Sequence, residues 1–218
     1  MEVEIKLTVR PAIPGGPEAF FARLAALTYL GGYTLGPIVL NEIRDVYFDA
    51  QDNALAASGA GLRLRIENGR PFVTLKANRV QVGALSWREE FQEPLTQEHL
   101  DQVLSHVTGQ VGTGPFPVGD FAAGRPCGTL VPVLDVSTTR WARAIGAVAE
   151  LDLDTVRYSA VAVGPFYDLE IEAHGQMPDE QALRWLESDL YAQADGHLDL
   201  TPWSKLERGL RLIRRDGL

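Results

Sequence analysis

Several features that would tie a chain to a membrane, an oxidising compartment or a nucleic acid are missing here. No run approaches the roughly 20 continuous apolar residues of a membrane-spanning helix. The start, Met1-Glu2-Val3-Glu4-Ile5-Lys6, has neither the basic residues nor the apolar stretch of a secretion signal. Cys127 is the one cysteine, so no intrachain disulfide can form. Without a nearby His or Cys it is not a zinc ligand either, and a small core or loop residue is its ordinary role. Positive charge is also short, 20 Lys and Arg against 29 Asp and Glu, a formal net charge of −9. Such a chain repels phosphate backbones at long range, so no nucleic-acid partner is expected, and an anionic small molecule would need a local basic pocket. The expectation is a soluble cytoplasmic protein with no membrane partner.

What remains is ordinary globular usage, 45% hydrophobic and 22% charged, far from the composition of disordered chains. A length of 218 residues suits a single all-β barrel, and one domain over 1–218 is expected. There is no internal repeat, linker or low-complexity tract.

Short segments alternate between charged and apolar residues, the period of a strand with two unlike faces. Glu2, Glu4 and Lys6 alternate with Val3, Ile5 and Leu7; Arg63 and Arg65 with Leu62, Leu64 and Ile66; Lys76 shares a face with Thr74 and Phe72. Arg88 and Glu90 share another, although Glu89 spoils the alternation. Asp152 and Asp154 follow Glu150, and Glu170 and Glu172 follow Asp168. With strands near 44–48, 138–141 and 157–163, about eight are expected. Helices are expected over 17–30, with Phe20, Leu24 and Leu27 on one stripe, over 96–107, over 178–194, with Leu183, Leu186 and Leu190, and from a Thr201-Pro202 cap to about 214. The Gly- and Pro-rich stretch 109–128 reads as a loop or a poorly signalled helix.

A charged strand face usually meets water. Here like charges recur two residues apart, Glu2 with Glu4, Arg63 with Arg65, Asp152 with Asp154, Glu170 with Glu172, and a solvated strand gains nothing from that. Turned into a barrel, these faces would line one lumen while Val3, Ile5, Leu64, Leu75, Leu151 and Ile171 point outward against helices. Carboxylates so crowded raise one another's pKa unless a cation joins them, and their oxygens suit a hard ion such as Mg²⁺ or Mn²⁺. The bases Lys6, Arg63, Arg65, Lys76, Arg140 and Lys205 likewise call for an anion, and Arg forks match phosphate oxygens. A metal-bridged polyphosphate meets both demands.

With Glu2-Val3-Glu4-Ile5-Lys6 in the ExExK position, the sequence resembles the CYTH superfamily of triphosphate tunnel metalloenzymes. The order of later segments strengthens the resemblance: Tyr47-Phe48-Asp49, Leu62-Arg63-Leu64-Arg65, Thr74-Leu75-Lys76, Arg88-x-Glu90, Arg140, Glu150-x-Asp152-x-Asp154, Glu170-x-Glu172 and Ser204-Lys205. The resemblance implies an α+β fold, mainly antiparallel β, in which an eight-stranded closed tunnel has a charged lumen and helices packed outside. It further implies Glu2, Glu4, Asp152, Asp154, Glu170 and Glu172 as metal ligands. Lys6, Arg63, Arg65, Lys76, Arg88, Arg140 and Lys205 would grip a triphosphate-containing small molecule, Lys205 from the C-terminal helix, and Glu4, Lys76 and Glu90 would take catalytic roles. A homodimer is compatible with it. Gln92 stands where the family has the last acid of its RxExE strand, and Arg143 competes with Arg140 for one basic site, Arg140 being favoured because it follows Thr138-Thr139.

The leading expectation is metal-dependent hydrolysis of inorganic tripolyphosphate or of a nucleoside or thiamine triphosphate. Class IV adenylate cyclase activity is the first alternative, a non-catalytic polyphosphate or nucleotide binder the second, and RNA 5′-triphosphate hydrolysis the least favoured. His99, His106, His174 and His197 lack acidic partners at catalytic spacing, and Trp87, Trp141, Trp185 and Trp203 read as packing residues.

Overall fold

The computed structural model describes residues 1–96, 98, 130–175 and 179–215. Nearly all of the expected helix over 96–107, the stretch 109–128, Cys127, His99 and His106 lie outside the described residues. In chain order the elements are β1 (Glu2–Val9), α1 (Pro17–Ala26), β2 (Tyr29–Leu30), β3 (Tyr33–Thr34), β4 (Val39–Asp49), α2 (Ala54–Ala57), β5 (Gly61–Glu67), β6 (Arg70–Val82) and β7 (Leu85–Pro94). Then come β8 (Val131–Ile145), β9 (Ala149–Tyr158), β10 (Phe166–Ala173), α3 (Glu180–Gln193), β11 (Leu198–Leu200) and α4 (Lys205–Arg215).

Eight strands close a barrel in the order β1-β10-β9-β8-β4-β5-β6-β7, with β7 returning to β1 and every pair antiparallel. One edge of β1 is divided: β7 pairs with Glu2 to Ile5 and the extra strand β11 with Leu7 to Val9. Turn chemistry helps to set the register. Glu67 pairs with Arg70 across Asn68-Gly69, both at positive φ, which is the two-residue turn whose twist matches the strands it joins.

The alternation read from the sequence sorts the two faces as expected. Val3, Ile5, Leu151 and Ile171 point outward into a core shared with Phe20 and Leu24 of α1 and Leu183, Leu186 and Leu190 of α3. Leu64 and Leu75 pack outward beneath Leu55 of α2. Among the described residues no helix is long and apolar enough to cross a membrane.

Four details differ from expectation. Residues 157–163 are not a separate strand: β9 runs through to Tyr158, after which Ser159 donates to the Asp135 carbonyl and the chain turns toward Pro165. Helix α1 stops at Ala26 because Tyr29 and Leu30 enter a hairpin with Tyr33 and Thr34 around Gly31-Gly32. Helix α3 begins at Glu180, where the Asp179 carboxylate accepts from the Ala182 amide. The last helix begins at Lys205 and not directly after a Thr201-Pro202 cap. Its cap is Ser204, whose hydroxyl accepts from the Glu207 amide while Glu207 accepts from the Ser204 amide, the reciprocal pair of a capping box.

Helix α4 is also not simply packed outside. It lies across one end of the barrel, where Leu206 joins Tyr47, Leu134, Val136, Val156 and Tyr158 in an apolar cluster. Gly209 makes this approach feasible, since a Cβ there would lie 2.8 Å from Tyr158 Cε1 and closer still to Leu134. Glycine within a helix costs about 1 kcal/mol relative to alanine, so an unconstrained Gly209→Ala would stabilise the fold. The opposite is expected here: Gly209→Ala should lower the free energy of unfolding by about 1–3 kcal/mol through overpacking, as measured by urea denaturation.

Candidate active site in the tunnel

The inward faces divide into two arcs. Adjacent strands β1, β10 and β9 contribute Glu2, Glu4, Asp168, Glu170, Glu172, Asp152 and Asp154, with Glu4 opposite Glu172 and Glu170 opposite Asp152 in the ladder. Like charges directly opposite one another weaken a sheet unless something else neutralises them. The other arc contributes Arg63 and Arg65 from β5, Lys76 from β6 and Arg88 from β7. Between the arcs lies a cavity of about 260 Å³. All seven expected anion-binding residues, Lys6, Arg63, Arg65, Lys76, Arg88, Arg140 and Lys205, line it, as do Glu2, Glu90, Glu170 and Glu172. Glu4, Asp152 and Asp154 are more deeply buried, behind that surface.

Three of these bases lie within the acidic arc and neutralise part of it. Arg140 forms a fork on Asp154, with Nε and Nη2 both at 2.7 Å, and reaches Glu170 at 3.0 Å. Lys205 enters from α4 and donates to Asp154 at 2.9 Å and Glu170 at 2.7 Å. Lys6 lies 3.0 Å from Glu4 and 3.3 Å from Glu170. Burial alone would raise the Glu170 carboxyl, but Lys205, Lys6 and Arg140 outweigh it and hold the group well below the usual carboxylate range. Asp154 is lowered in the same way by Arg140 and Lys205. The acids and bases are therefore partly interleaved, not two wholly separate clusters.

The remaining acids are less well served. Burial pushes Asp152 up to about 8 against the pull of Arg140, and burial together with Glu2 pushes Glu172 up to about 7. Glu2 Oε2, Glu4 Oε1 and both Asp152 oxygens are buried and accept no hydrogen bond, although Arg140 Nη1 lies 2.5 Å from Asp152 Oδ2. Unsatisfied buried carboxylate oxygens are costly, and hard oxygen donors of this kind suit Mg²⁺ or Mn²⁺. No three His, Cys, Asp or Glu side chains form a ready-made metal shell among the described residues. The resident cations hold several of the carboxylates instead.

On the basic arc Lys76 donates to Glu2 at 2.6 Å and lies 3.5 Å from Glu90. Arg88 forms no ion pair among the described residues and faces the cavity. Arg143, the rival of Arg140, points outward: it donates to the Leu24, Ala25 and Gly36 carbonyls and so braces the end of α1. Gln92 lines the cavity and accepts from Thr74 at 3.0 Å. His174 and His197 do not line it. Trp87 and Trp141 pack on the core, while Trp185 and Trp203 are exposed, Arg211 lying 4.6 Å over the Trp203 ring.

Several residues receive no role from the sequence. Asp45 is fully buried, receives a two-pronged bond from Arg65 at 2.9 Å and lies 3.4 Å from Arg63. Tyr47 on the same face meets Arg63 at 3.5 Å. Asp45 and Tyr47 were legible as alternate residues of β4, but that strand reads as hydrophobic overall. Asp49 accepts from the Ala50, Leu55 and Ala56 amides and so shapes the turn carrying Ala56 and Gly59 to the cavity rim. Arg208 clamps Asp168 and takes Tyr158 as a further acceptor at 2.8 Å, fastening α4 to the barrel.

A closed antiparallel barrel with an acidic arc, a basic arc and a helix-borne lysine defines the class: a barrel tunnel with a charged lumen. The CYTH domain family model matches residues 1–198, and the chain belongs to that family. Lys205 lies just beyond the matched span. Among solved structures, the proposed adenylyl cyclase HpAC1 of Hippeastrum, described as having a dominant triphosphatase activity, is 18% identical with a TM-score of 0.65, covering 100% of this chain and 96% of its own. A proposed adenylate cyclase of Bacillus halodurans is 19% identical with a TM-score of 0.63 over 95% of this chain and 96% of its own. The mimivirus capping enzyme triphosphatase is 12% identical with a TM-score of 0.52, over 88% and 89%. At these identities the likeness establishes the fold.

Asp45 gives a test of how the basic arc is held. Burial would raise its pKa, yet Arg63 and Arg65 hold it below the ordinary value near 3.9. A carboxyl depressed in the folded state contributes stability at pH values above its unfolded pKa, and that stability is lost as pH falls through the folded one. Asp45→Asn should therefore cost about 3 kcal/mol near pH 7. Its deficit against wild type should shrink below about pH 4, as followed by denaturant unfolding across pH.

Proposed function

We propose that this chain is a divalent-metal-dependent triphosphatase that hydrolyses inorganic tripolyphosphate or the triphosphate of a nucleoside or of thiamine within the tunnel. The observation that carries the reading is the meeting of groups of both signs about one cavity: the guanidinium of Arg88, which forms no ion pair among the described residues, beside the Arg63, Arg65 and Lys76 cations, and the carboxylates of Glu2, Glu4 and Asp152, each beside one cation but keeping buried oxygens that accept no hydrogen bond. The described triphosphatase activity of two structural neighbours supports it. A volume of about 260 Å³ lies below the roughly 300–1,000 Å³ of pockets for drug-sized ligands, so the triphosphate itself is the part enclosed.

In this reading Glu2, Glu4, Asp152 and Glu172, with Glu170 and Asp154 beside them, would hold Mg²⁺ or Mn²⁺. A bound divalent ion supplies Lewis-acid neutralisation of phosphate charge and lowers the pKa of a coordinated water. The chain's own contribution is positional and electrostatic, as phosphoryl transfer largely requires. Arg63, Arg65 and Arg88 fix the phosphate oxygens with planar forks, and Asp45 keeps the first two aligned. Lys76, already held between Glu2 and Glu90, is placed to meet charge on the transferred group. The barrel wall excludes bulk water.

Glu4→Gln should lower metal-dependent phosphate release from tripolyphosphate by about a hundredfold or more, chiefly in kcat. Arg88→Ala, which removes a grip made to the anion alone, should raise KM by about tenfold or more. Orthophosphate release assays with tripolyphosphate, ATP and thiamine triphosphate, each with Mg²⁺ and Mn²⁺, check both, and an unimpaired Glu4→Gln enzyme would remove the assignment.

The adenylate cyclase descriptions among the neighbours favour one second reading, cyclisation of ATP. Product analysis separates the two, since hydrolysis yields orthophosphate and cyclisation yields cyclic AMP with pyrophosphate.

A further inference from the structure

Arg79 stands where simple alternation would not put it. In β6, Lys76 faces the tunnel and Ala77 is buried on the outer side, so Arg79 should also face outward. The ladder to β7 slips at this point: Ala77 pairs with Glu89 and Val80 with Trp87, leaving both Asn78 and Arg79 opposite Arg88. This is a β-bulge, with Asn78 at φ 52°, and bulges re-aim side chains beside functional sites. Here the bulge turns Arg79 to the tunnel mouth, where it lines the cavity with Ser204, Lys205 and Glu207.

All three guanidinium nitrogens of Arg79 are engaged by protein acceptors. Nε donates to Ser86 Oγ at 3.1 Å, Nη2 to Gln81 Oε1 at 2.7 Å and Nη1 to the Pro202 carbonyl at 2.7 Å, with Glu207 Oε2 3.6 Å away. Pro202 and Glu207 flank Lys205 on the turn that opens α4. On the other side of the helix the Tyr158 hydroxyl donates to the Lys205 carbonyl, and Arg208 is anchored on Asp168. Lys205 thus projects from a turn fastened to the barrel on two sides, and Arg79 is the fastening on the β6 side.

We infer that Arg79 is a positioning residue: by clasping the Pro202 carbonyl and Glu207 it sets the place at which Lys205 enters the tunnel, while the neighbouring free Arg88 grips the anion. The ligand arm of the test rests on the triphosphate reading above, and the exchange arm does not.

Hydrogen exchange of residues 202–210 and calorimetric binding of inorganic tripolyphosphate would be compared in wild type, Arg79→Ala, Lys205→Ala and the double variant. In Arg79→Ala, amide exchange over 202–210 should quicken about tenfold or more while β9 and β10 keep their protection. Tripolyphosphate affinity should fall about tenfold in each single variant, and the double variant should bind no more weakly than Lys205→Ala alone, because the two residues act through one contact. Arg79→Lys, whose single compact ammonium cannot span acceptors spread around a planar guanidinium, should lie between wild type and Arg79→Ala in exchange and carries the same test if the alanine variant does not fold. Unchanged exchange over 202–210, or losses that add in the double variant, would overturn the inference, the latter by making Arg79 a direct ligand contact. Failure of the wild-type protein to bind tripolyphosphate would count against the triphosphate reading, and the exchange result would then decide the clasp by itself.

Discussion

Charge neutralisation inside a closed wall is the constraint on which the structure depends. Once β1 joins both β7 and β10, the inward side chains of eight strands share a lumen where an unpaired charge carries a heavy desolvation penalty. Arg140 and Lys205 meet that constraint on Asp154 and Glu170, Arg63 and Arg65 meet it on Asp45, and Lys76 meets it on Glu2. The position of α4 follows from this arrangement, because its first residue is one of the partners. So does the location of unmet demand, at Glu2, Glu4 and Asp152, where carboxylates outnumber the resident cations within reach.

Much of the barrel was legible because a strand buried on both sides with charges on one of them leaves a distinctive trace. Glu2, Glu4 and Lys6 alternate with Val3, Ile5 and Leu7, and like charges recurring two residues apart on several strands point those faces to a shared lumen instead of water. Arg63-x-Arg65 and Glu170-x-Glu172 follow the same rule. The reading failed where parity or context changed. Asp45 was concealed in a strand whose apolar residues dominate the pattern. Arg79 was hidden because a bulge inserts one residue and reverses which side the chain presents, and no composition signal marks that slip. The start of α4 was set three residues early because Thr201-Pro202 offers a plausible cap, whereas Ser204 and Glu207 satisfy both ends of the capping pair.

The division into arcs also explains why one fold suits polyanion chemistry so readily. Adjacent strands give each arc its prevailing sign, while Lys6, Asp45 and the Lys76–Glu2 pair tie the two together. On the proposed function, a triphosphate lying between them would meet planar donors on one side and carboxylate oxygens on the other. Leu134, Val136 and Leu206 form an apolar patch where α4 meets the barrel.

The two acceptors of Lys205 give α4 a further property. An ammonium fastened to the protein is a counter-ion that cannot diffuse away, and its local concentration is fixed by the fold and not by the surrounding electrolyte. Bulk salt largely screens attraction between exposed charges farther apart than a Debye length, about 10 Å at 0.1 M, but it does little to contacts of 2.7 and 2.9 Å shielded by the barrel. If the proposed function holds, a divalent ion that took Asp154 or Glu170 as a ligand would have to compete with this tethered ammonium.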